Sequence, residues 1–292
     1  MKVLVATQKP FAPAAVKGIE EILVKAGHTV TVLEKYADEG ELISAVSDVD
    51  AMIVRSDKVT PKVLAAAGNL KIVVRAGAGF DNIDLAESKA RGVIVENTPG
   101  QNSNAVAELA IAMMIYMSRN QFTPTAGSEI SGKRLGIQAF GMTVLATDPF
   151  VPAEKIAEAG AKPVATVKEL YAESDFVSVH IPATPETIGS IGYDLITSMP
   201  KGAVLVNTAR KEVIDEAGLE KALEDRPDLK YVTDVAPDNL AVLKEKFGLR
   251  VFATPKKMGA QTAEANMNAG LAAARQIVAY FAEGCTRFQV NK

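Results

Sequence analysis

Short apolar, β-branched runs alternate along the whole chain with stretches in which apolar residues recur every three or four positions. Residues 2–7 read as a strand. Residues 13–26 read as a helix, with Val16, Ile19, Ile22 and Leu23 on one face and Gly27 as its stop. The alternation continues with strands over 29–33, 51–54, 71–75 and 93–96, and helices over 42–49, 61–67 and 84–91. Strands separated by helices pair in parallel through right-handed crossovers, which makes 1–98 one doubly wound α/β domain. A second series follows, with strands over 134–138, 143–147, 175–181, 203–207, 231–235 and 250–253 and helices between most of them, including 216–224 and 239–247. The expected fold is α/β, with two doubly wound parallel-sheet domains enclosing a cleft.

Two long helices depart from the ordinary amphipathic pattern. Residues 104–119 are apolar nearly all round, which suits either a central core helix or one shared between the domain and a dimer interface. Residues 263–281 have a broad apolar face and no strand after them, so this helix is expected to return to the first domain. The boundaries read as 1–98 completed by 268–292, and 99–267.

Composition narrows the partners. Thirty-two basic and thirty-five acidic side chains leave a net charge of −3 with no block of one sign, against nucleic acid or an anionic membrane as partner. A single cysteine, Cys285, excludes an internal disulfide and a cysteine-based zinc cluster, and His28 and His180 are too few for a histidine-rich metal site, so no metal is expected. The N-terminus reads as a strand rather than a secretory signal, and the apolar stretch 107–117 is too short for a bilayer and carries Glu108. A cytoplasmic location is expected.

The candidate chemistry lies in short motifs. Arg75-Ala76-Gly77-Ala78-Gly79-Phe80-Asp81 follows one strand, and Asn97-Thr98-Pro99-Gly100-Gln101-Asn102 another. Later come His180-Ile181-Pro182, Asn207-Thr208-Ala209-Arg210, Thr233-Asp234-Val235 and Ala253-Thr254-Pro255. Glycines after a strand let the backbone approach a ligand or simply close a tight turn. An arginine beyond the carboxyl end of a strand sits where doubly wound sheets bind ligands, and its planar fork suits a carboxylate. Asp148 ends a strand where dinucleotide-binding folds place the ribose-binding acid, and it also reads as an Asp-Pro turn. His180 alone is as readily a satisfied core histidine.

In this order and spacing, the motifs resemble the D-isomer-specific 2-hydroxyacid dehydrogenase family, in particular short-type D-3-phosphoglycerate dehydrogenases that have lysine in place of the catalytic histidine. The resemblance implies a flavodoxin-like substrate domain, a Rossmann dinucleotide-binding domain and NAD as cofactor, while the nearly all-round apolar face of 104–119 predicts a homodimer built through that helix. It also implies oxidation of 3-phosphoglycerate to 3-phosphohydroxypyruvate in L-serine biosynthesis, and a chain without a C-terminal regulatory domain. By that resemblance Arg210 polarises the substrate, and Lys257 or Lys256 is the acid/base. Asp148, His180, Ile181, Pro182, Thr208, Ala209, Asp234 and Gly259 bind the cofactor. Arg55, Ser56, Arg75, Ala76, Gly77, Ala78 and Asn102 bind the substrate, with Lys58 and Lys256 also near enough to meet its phosphate.

Two departures matter. Where relatives carry histidine after Thr-Pro, this chain reads Thr254-Pro255-Lys256-Lys257-Met258-Gly259; where they carry the glutamate that orients it, it has Asn239. A buried lysine beside another cation can have its pKa lowered enough to relay a proton. Second, Gln138 is followed only by Ala139-Phe140-Gly141-Met142 before the next strand, without the glycine-rich turn and first crossover helix that hold a pyrophosphate. The second sheet is therefore expected to be disturbed locally. The loss also raises the alternative of a catalytically silent homodimeric binding or scaffold protein.

Overall fold

The computed structural model describes residues 1–138, 145–148 and 151–292. The first series runs β1 Lys2–Thr7, α1 Pro13–Lys25, β2 Thr29–Glu34, α2 Glu39–Val46, β3 Ala51–Val54, α3 Pro61–Ala66, β4 Ile72–Arg75, α4 Leu85–Ala90 and β5 Ile94–Asn97. After α5 (Ser103–Ser118) come β6 Leu135–Gln138, β7 Leu145–Thr147, α6 Ala153–Glu158, β8 Lys162–Pro163, α7 Val167–Glu173 and β9 Phe176–Val179. The chain continues through α8 Tyr193–Ser198, β10 Val204–Asn207, α9 Glu216–Asp225, β11 Lys230–Thr233, α10 Leu240–Phe247 and β12 Val251–Ala253 to α11 Ala263–Glu283.

These elements divide into two compact units, Met1–Ala105 with Ala260–Lys292, and Val106–Gly259. The division falls at 105 and 260, where the sequence pattern suggested 98 and 268.

The first unit is a five-stranded parallel sheet ordered β2-β1-β3-β4-β5. Successive β1 side chains go to opposite faces. Val3 and Val5 join the core under α1 and α11, and Leu4 and Ala6 join the core under α2 and α3. Covering both faces is why the inner strands are continuous apolar runs rather than alternating ones. α11 lies against α1 at close range. A Cβ on Gly18 would come 2.6 Å from Leu271, and one on Gly270 would come 2.9 Å from Ile19, so small residues set the helix separation. Beyond α11 the tail runs along β5: Val290 N–H donates to Val95 O at 2.9 Å, and the Asn291 side chain bonds both Val95 N (3.0 Å) and Val93 O (2.8 Å).

The second unit is a seven-stranded parallel sheet ordered β12-β11-β10-β9-β6-β7-β8. One face packs Leu170, Leu219, Leu223 and Leu243 from α7, α9 and α10. On the other, Ala110, Met113, Met114 and Met117 of α5 cover Phe176, Val204, Val206 and Val232. The opposite side of α5 leaves Ile111 and Ile115 about two-fifths exposed, at 40% and 39%. Lys230 Nζ closes the end of α5 by donating to Met117 O (3.0 Å) and Asn120 Oδ1 (2.8 Å).

The missing glycine-rich turn and helix would fall on 139–144, outside the described residues. β6 and β7 on either side still pair in parallel, Gly136 with Leu145 through Gln138 with Thr147. The described strands thus keep the ladder that the short connection was expected to disturb.

Candidate active site

In a parallel sheet every strand ends at the same edge, so register decides which loop residues become neighbours. In the second unit one register row links Thr147, Gln138, Val179, Asn207, Thr233 and Ala253. Asp148, His180, Thr208, Asp234 and Thr254 each follow a member of that row. The sequence motifs, scattered over more than a hundred positions, therefore leave the sheet along one edge.

Local hydrogen bonds shape this rim. His180 lies between two hydroxyls, Ser178 Oγ at 2.8 Å from Nε2 and Thr208 Oγ1 at 3.2 Å from Nδ1. Desolvation pulls its pKa down to about 4, so the imidazole is neutral at neutral pH. The buried Asn207 side chain builds the next turn: its Oδ1 accepts from Ala209 N at 3.0 Å, and its Nδ2 donates to Arg210 O at 2.9 Å. Arg210 sits half-buried on that turn, with Nη1 donating to Ala209 O at 2.9 Å. Ile181 packs on the core beneath the rim, and Pro182, exposed, accepts from Thr187 Oγ1 at 2.6 Å.

Asp234, only 2% exposed, is the centre of the lysine loop. Its carboxylate accepts from Thr254 Oγ1 (2.7 Å), Met258 N (2.8 Å) and Gly259 N (2.7 Å). These bonds close the segment from Thr254 to Gly259 into a loop with Lys256 and Lys257 at its exposed turn. The burial expected of the two lysines is not found. The braced donors are backbone amides and a hydroxyl, which pull the loop's ends inward and leave its middle in solvent. Asn239, at the orienting glutamate's position, is engaged elsewhere: its N–H donates to Glu216 Oε2 at 3.1 Å and its Nδ2 to Glu216 O at 3.4 Å. Asp148 follows β7, half-buried.

The first unit has its own rim, on the row Ala6, Val54, Arg75, Asn97. Arg75 Nε donates to Arg55 O at 2.9 Å. Its guanidinium lies where a Cβ on Gly77 would be, and Gly77 has φ +149°, so only glycine fits there. The Gly77 N–H donates to Arg75 O at 2.9 Å, inside the turn rather than toward a ligand. Ala76, buried, donates its N–H to Val54 O at 2.8 Å, and Ala78 O accepts from Asn97 Nδ2 at 2.6 Å. Ser56 is exposed, and Asn102 immediately precedes α5. Arg55 is tied down: Nη1 donates to Lys9 O (3.0 Å) and Pro10 O (3.1 Å), Nη2 to Asn266 Oδ1, and the guanidinium lies over the Phe11 ring at 5.0 Å.

The family model described as D-isomer specific 2-hydroxyacid dehydrogenase, catalytic domain, matches residues 3–291. The chain belongs to this family. Among solved structures, the family member described as NAD+-bound 3-phosphoglycerate dehydrogenase of Entamoeba histolytica is 46% identical, with a TM-score of 0.90 over 100% of this chain and 99% of that one. D-3-phosphoglycerate dehydrogenase of Archaeoglobus fulgidus is 36% identical over 314 residues, 95% of this chain and 57% of the relative. That aligned stretch is longer than the 292 residues here, so the relative carries positions without a counterpart in this chain. Hydroxypyruvate reductase of Thermotoga maritima is 35% identical over 274 residues, 82% of this chain and 87% of the relative. The chain spans about half the length of the curated phosphoglycerate dehydrogenases it matches.

Among the described residues, no group of His, Cys, Asp and Glu is placed to hold a metal ion, and no helix is long and apolar enough to cross a membrane. Sequence reasoning passed over two residues that shape these rims, Asn207 as a turn-builder and Asp57 as a buried acid. Asn207 had a signal, a polar residue closing an apolar strand just before a threonine. Asp57 sits in a polar stretch that reads as any surface loop.

Proposed function

We propose that the chain is an NAD-dependent oxidoreductase of a D-2-hydroxy acid, oxidising 3-phosphoglycerate to 3-phosphohydroxypyruvate on the route to L-serine. The supporting observation is the second rim, where Asp148, His180, Thr208, Asp234 and the lysine loop follow one register row. The rim fits a dinucleotide at two places. Asp148 lies beyond β7 to accept bonds from an adenosine ribose, and neutral His180 with Ile181, Pro182, Thr208, Ala209 and Gly259 offers an uncharged wall for a nicotinamide. NAD supplies the hydride acceptor.

The side chains do the rest. Arg210 holds the substrate's carboxylate and the oxygen that becomes a carbonyl, and its fixed charge stabilises that oxygen as the C2–H bond breaks. Lys257 or Lys256 takes the hydroxyl proton in its neutral amine form, becoming the ammonium, and Asp234 poses both by bracing their loop. In the first unit Ser56, Arg75 and Asn102, with Arg55, bind the anionic substrate, and Ala76, Gly77 and Ala78 shape the turn beside Arg75. Ile111 and Ile115 on α5 support a homodimer, since exposed β-branched pairs on a long helix are costly to leave in water. The cytoplasm is the proposed location.

The alternative, a catalytically silent homodimeric binding protein, is favoured by one observation: the sequence from Ala139 to Val144 contains no Gly-x-Gly-x-x-Gly turn. Two measurements separate the readings. NADH formation from NAD and D-3-phosphoglycerate, falling more in Lys257→Ala than in Lys256→Ala, supports the dehydrogenase. Calorimetry showing no NADH binding by folded protein supports the silent reading. Inserting the turn and a helix after Gln138 should then tighten NADH binding about a hundredfold, the worth of two charge-assisted bonds.

A further inference from the structure

The first sheet changes direction between β1 and β3, the switch point at which doubly wound sheets open a crevice. A carboxylate lies across that point. Asp57 is 4% exposed. Its Oδ1 accepts from Gln8 N, just past β1, at 2.6 Å and from the Tyr36 hydroxyl, just past β2, at 2.7 Å. Its Oδ2 accepts from Arg55 N, just past β3, at 3.2 Å. One side chain thus gathers the exits of three strands. The turn it closes is clamped from the far side as well. Asn82 Nδ2 donates to Asp57 O at 2.7 Å and to Arg55 O at 3.3 Å, beside the bond from Arg75 Nε to the same Arg55 carbonyl.

An acid at such a place is expensive. Burying a carboxylate costs several kcal/mol unless hydrogen bonds replace its water, and an apolar residue would fill the space at lower cost. Burial and the bonded acid also push the Tyr36 hydroxyl well above its ordinary pKa, so Tyr36 remains a donor throughout the physiological range. The effect of the arrangement is to set the pose of the exposed residue between Arg55 and Asp57, which is Ser56.

We infer that Asp57 and Tyr36 are a positioning pair, which holds the Arg55–Ser56 turn in the pose that receives the anionic end of the substrate. Asp57 acts through Arg55 and Ser56 and does not itself touch the substrate. The inference rests on the dehydrogenase reading for the identity of the ligand, but not for the brace itself.

The test uses the full chain carrying Asp57→Ala, Asp57→Asn or Tyr36→Phe, with two readouts. Amide hydrogen exchange at Gln8 and Arg55 reports the brace without any substrate. Steady-state kinetics report KM for D-3-phosphoglycerate against kcat and against KM for NAD. Asp57→Ala should raise KM for the hydroxy acid about tenfold or more while kcat and the KM for NAD stay within about threefold, the mark of lost positioning in binding. Asp57→Asn keeps one acceptor oxygen and should be milder, and Tyr36→Phe should cost about threefold. In each variant Gln8 and Arg55 should exchange faster than the strand amides. An unchanged KM in a variant with faster exchange overturns the inference, and so does a loss confined to kcat. If Asp57→Ala does not fold, Tyr36→Phe decides. If the parent chain turns over no 2-hydroxy acid, the dehydrogenase reading falls, and calorimetry with D-3-phosphoglycerate decides the pair. A tenfold weaker Kd in the variants supports it; equal Kd values, or no binding by the parent chain, overturn it.

Discussion

The two sheets brace their rims alike, each with a buried aspartate that accepts from loop amides, and differ in how they hold their cations. Both are parallel, and both bring their candidate residues out at the carboxyl edge. At the first rim the charged side chains are tied to backbone: Arg55 to Lys9 O and Pro10 O, Arg75 to Arg55 O, Asp57 to Gln8 N and Arg55 N. At the second the buried group is Asp234, and the cations of its loop, Lys256 and Lys257, are exposed. The difference matches the proposed tasks. Binding an anion calls for charges fixed in advance, because each torsion frozen at binding weakens it. Moving a proton calls for an amine on a short, braced loop, with the brace beneath it.

The comparison breaks most readily at Arg210. Its removal, as Arg210→Ala, should lower kcat/KM for the hydroxy acid by hundreds to thousands of times, ~3–5 kcal/mol, without loss of fold. Steady-state assay and circular dichroism of the same preparation check this, and a rate within tenfold of the parent removes Arg210 from the mechanism. Next is Asp234→Ala, which strands the amides of Met258 and Gly259 and the Thr254 hydroxyl. It should cost ~3 kcal/mol of stability, read as a lower unfolding midpoint, together with a drop in kcat; Asp234→Asn should cost less.

A smaller effect separates the rims by pH. His180 titrates near 4 in the folded chain and near 6.5 when unfolded. Between those values the unfolded chain binds more protons, so stability is full above pH 6.5 and is lost as pH falls toward 4, by ~2 kcal/mol after allowance for solvent. His180→Gln should flatten that slope in urea unfolding across the acid range. The smallest expected change is at the first rim. Gly77→Ala forces the Arg75 guanidinium aside and strains a glycine-only backbone, costing ~1–2 kcal/mol and raising KM for the hydroxy acid more than KM for NAD. Equal shifts in the two KM values would show that the first rim does not discriminate between the ligands.

Much of the fold was legible before any coordinates. β3 occupies the expected 51–54, and α11 begins at the expected 263. Apolar period and glycine stops carry that information locally. The edge strand β8 was not legible, because two residues ending in Pro163 have no periodicity to detect. The two long helices already read differently, 104–119 apolar nearly all round and 263–281 on one broad face with an expected return to the first domain, and they pack differently. α11 buries Ala269, Ala273, Ala274 and Ile277 against the first unit's sheet and α1, while α5 covers its own sheet with one side and leaves Ile111 and Ile115 out.

The sequence by itself determined the parallel strands, their order of appearance, the motifs at their ends and hence the family. It did so because strand period, turn residues and motif spacing are properties of neighbours along the chain. Tertiary structure alone decided that Asp57 would meet Gln8 and Tyr36, that Asp234 would gather Thr254, Met258 and Gly259, and that the lysines would remain in solvent. Those bonds join loops 20 to 49 positions apart. Which loop side chain faces which is set by strand order and register, and neither is written in the local pattern of any one strand.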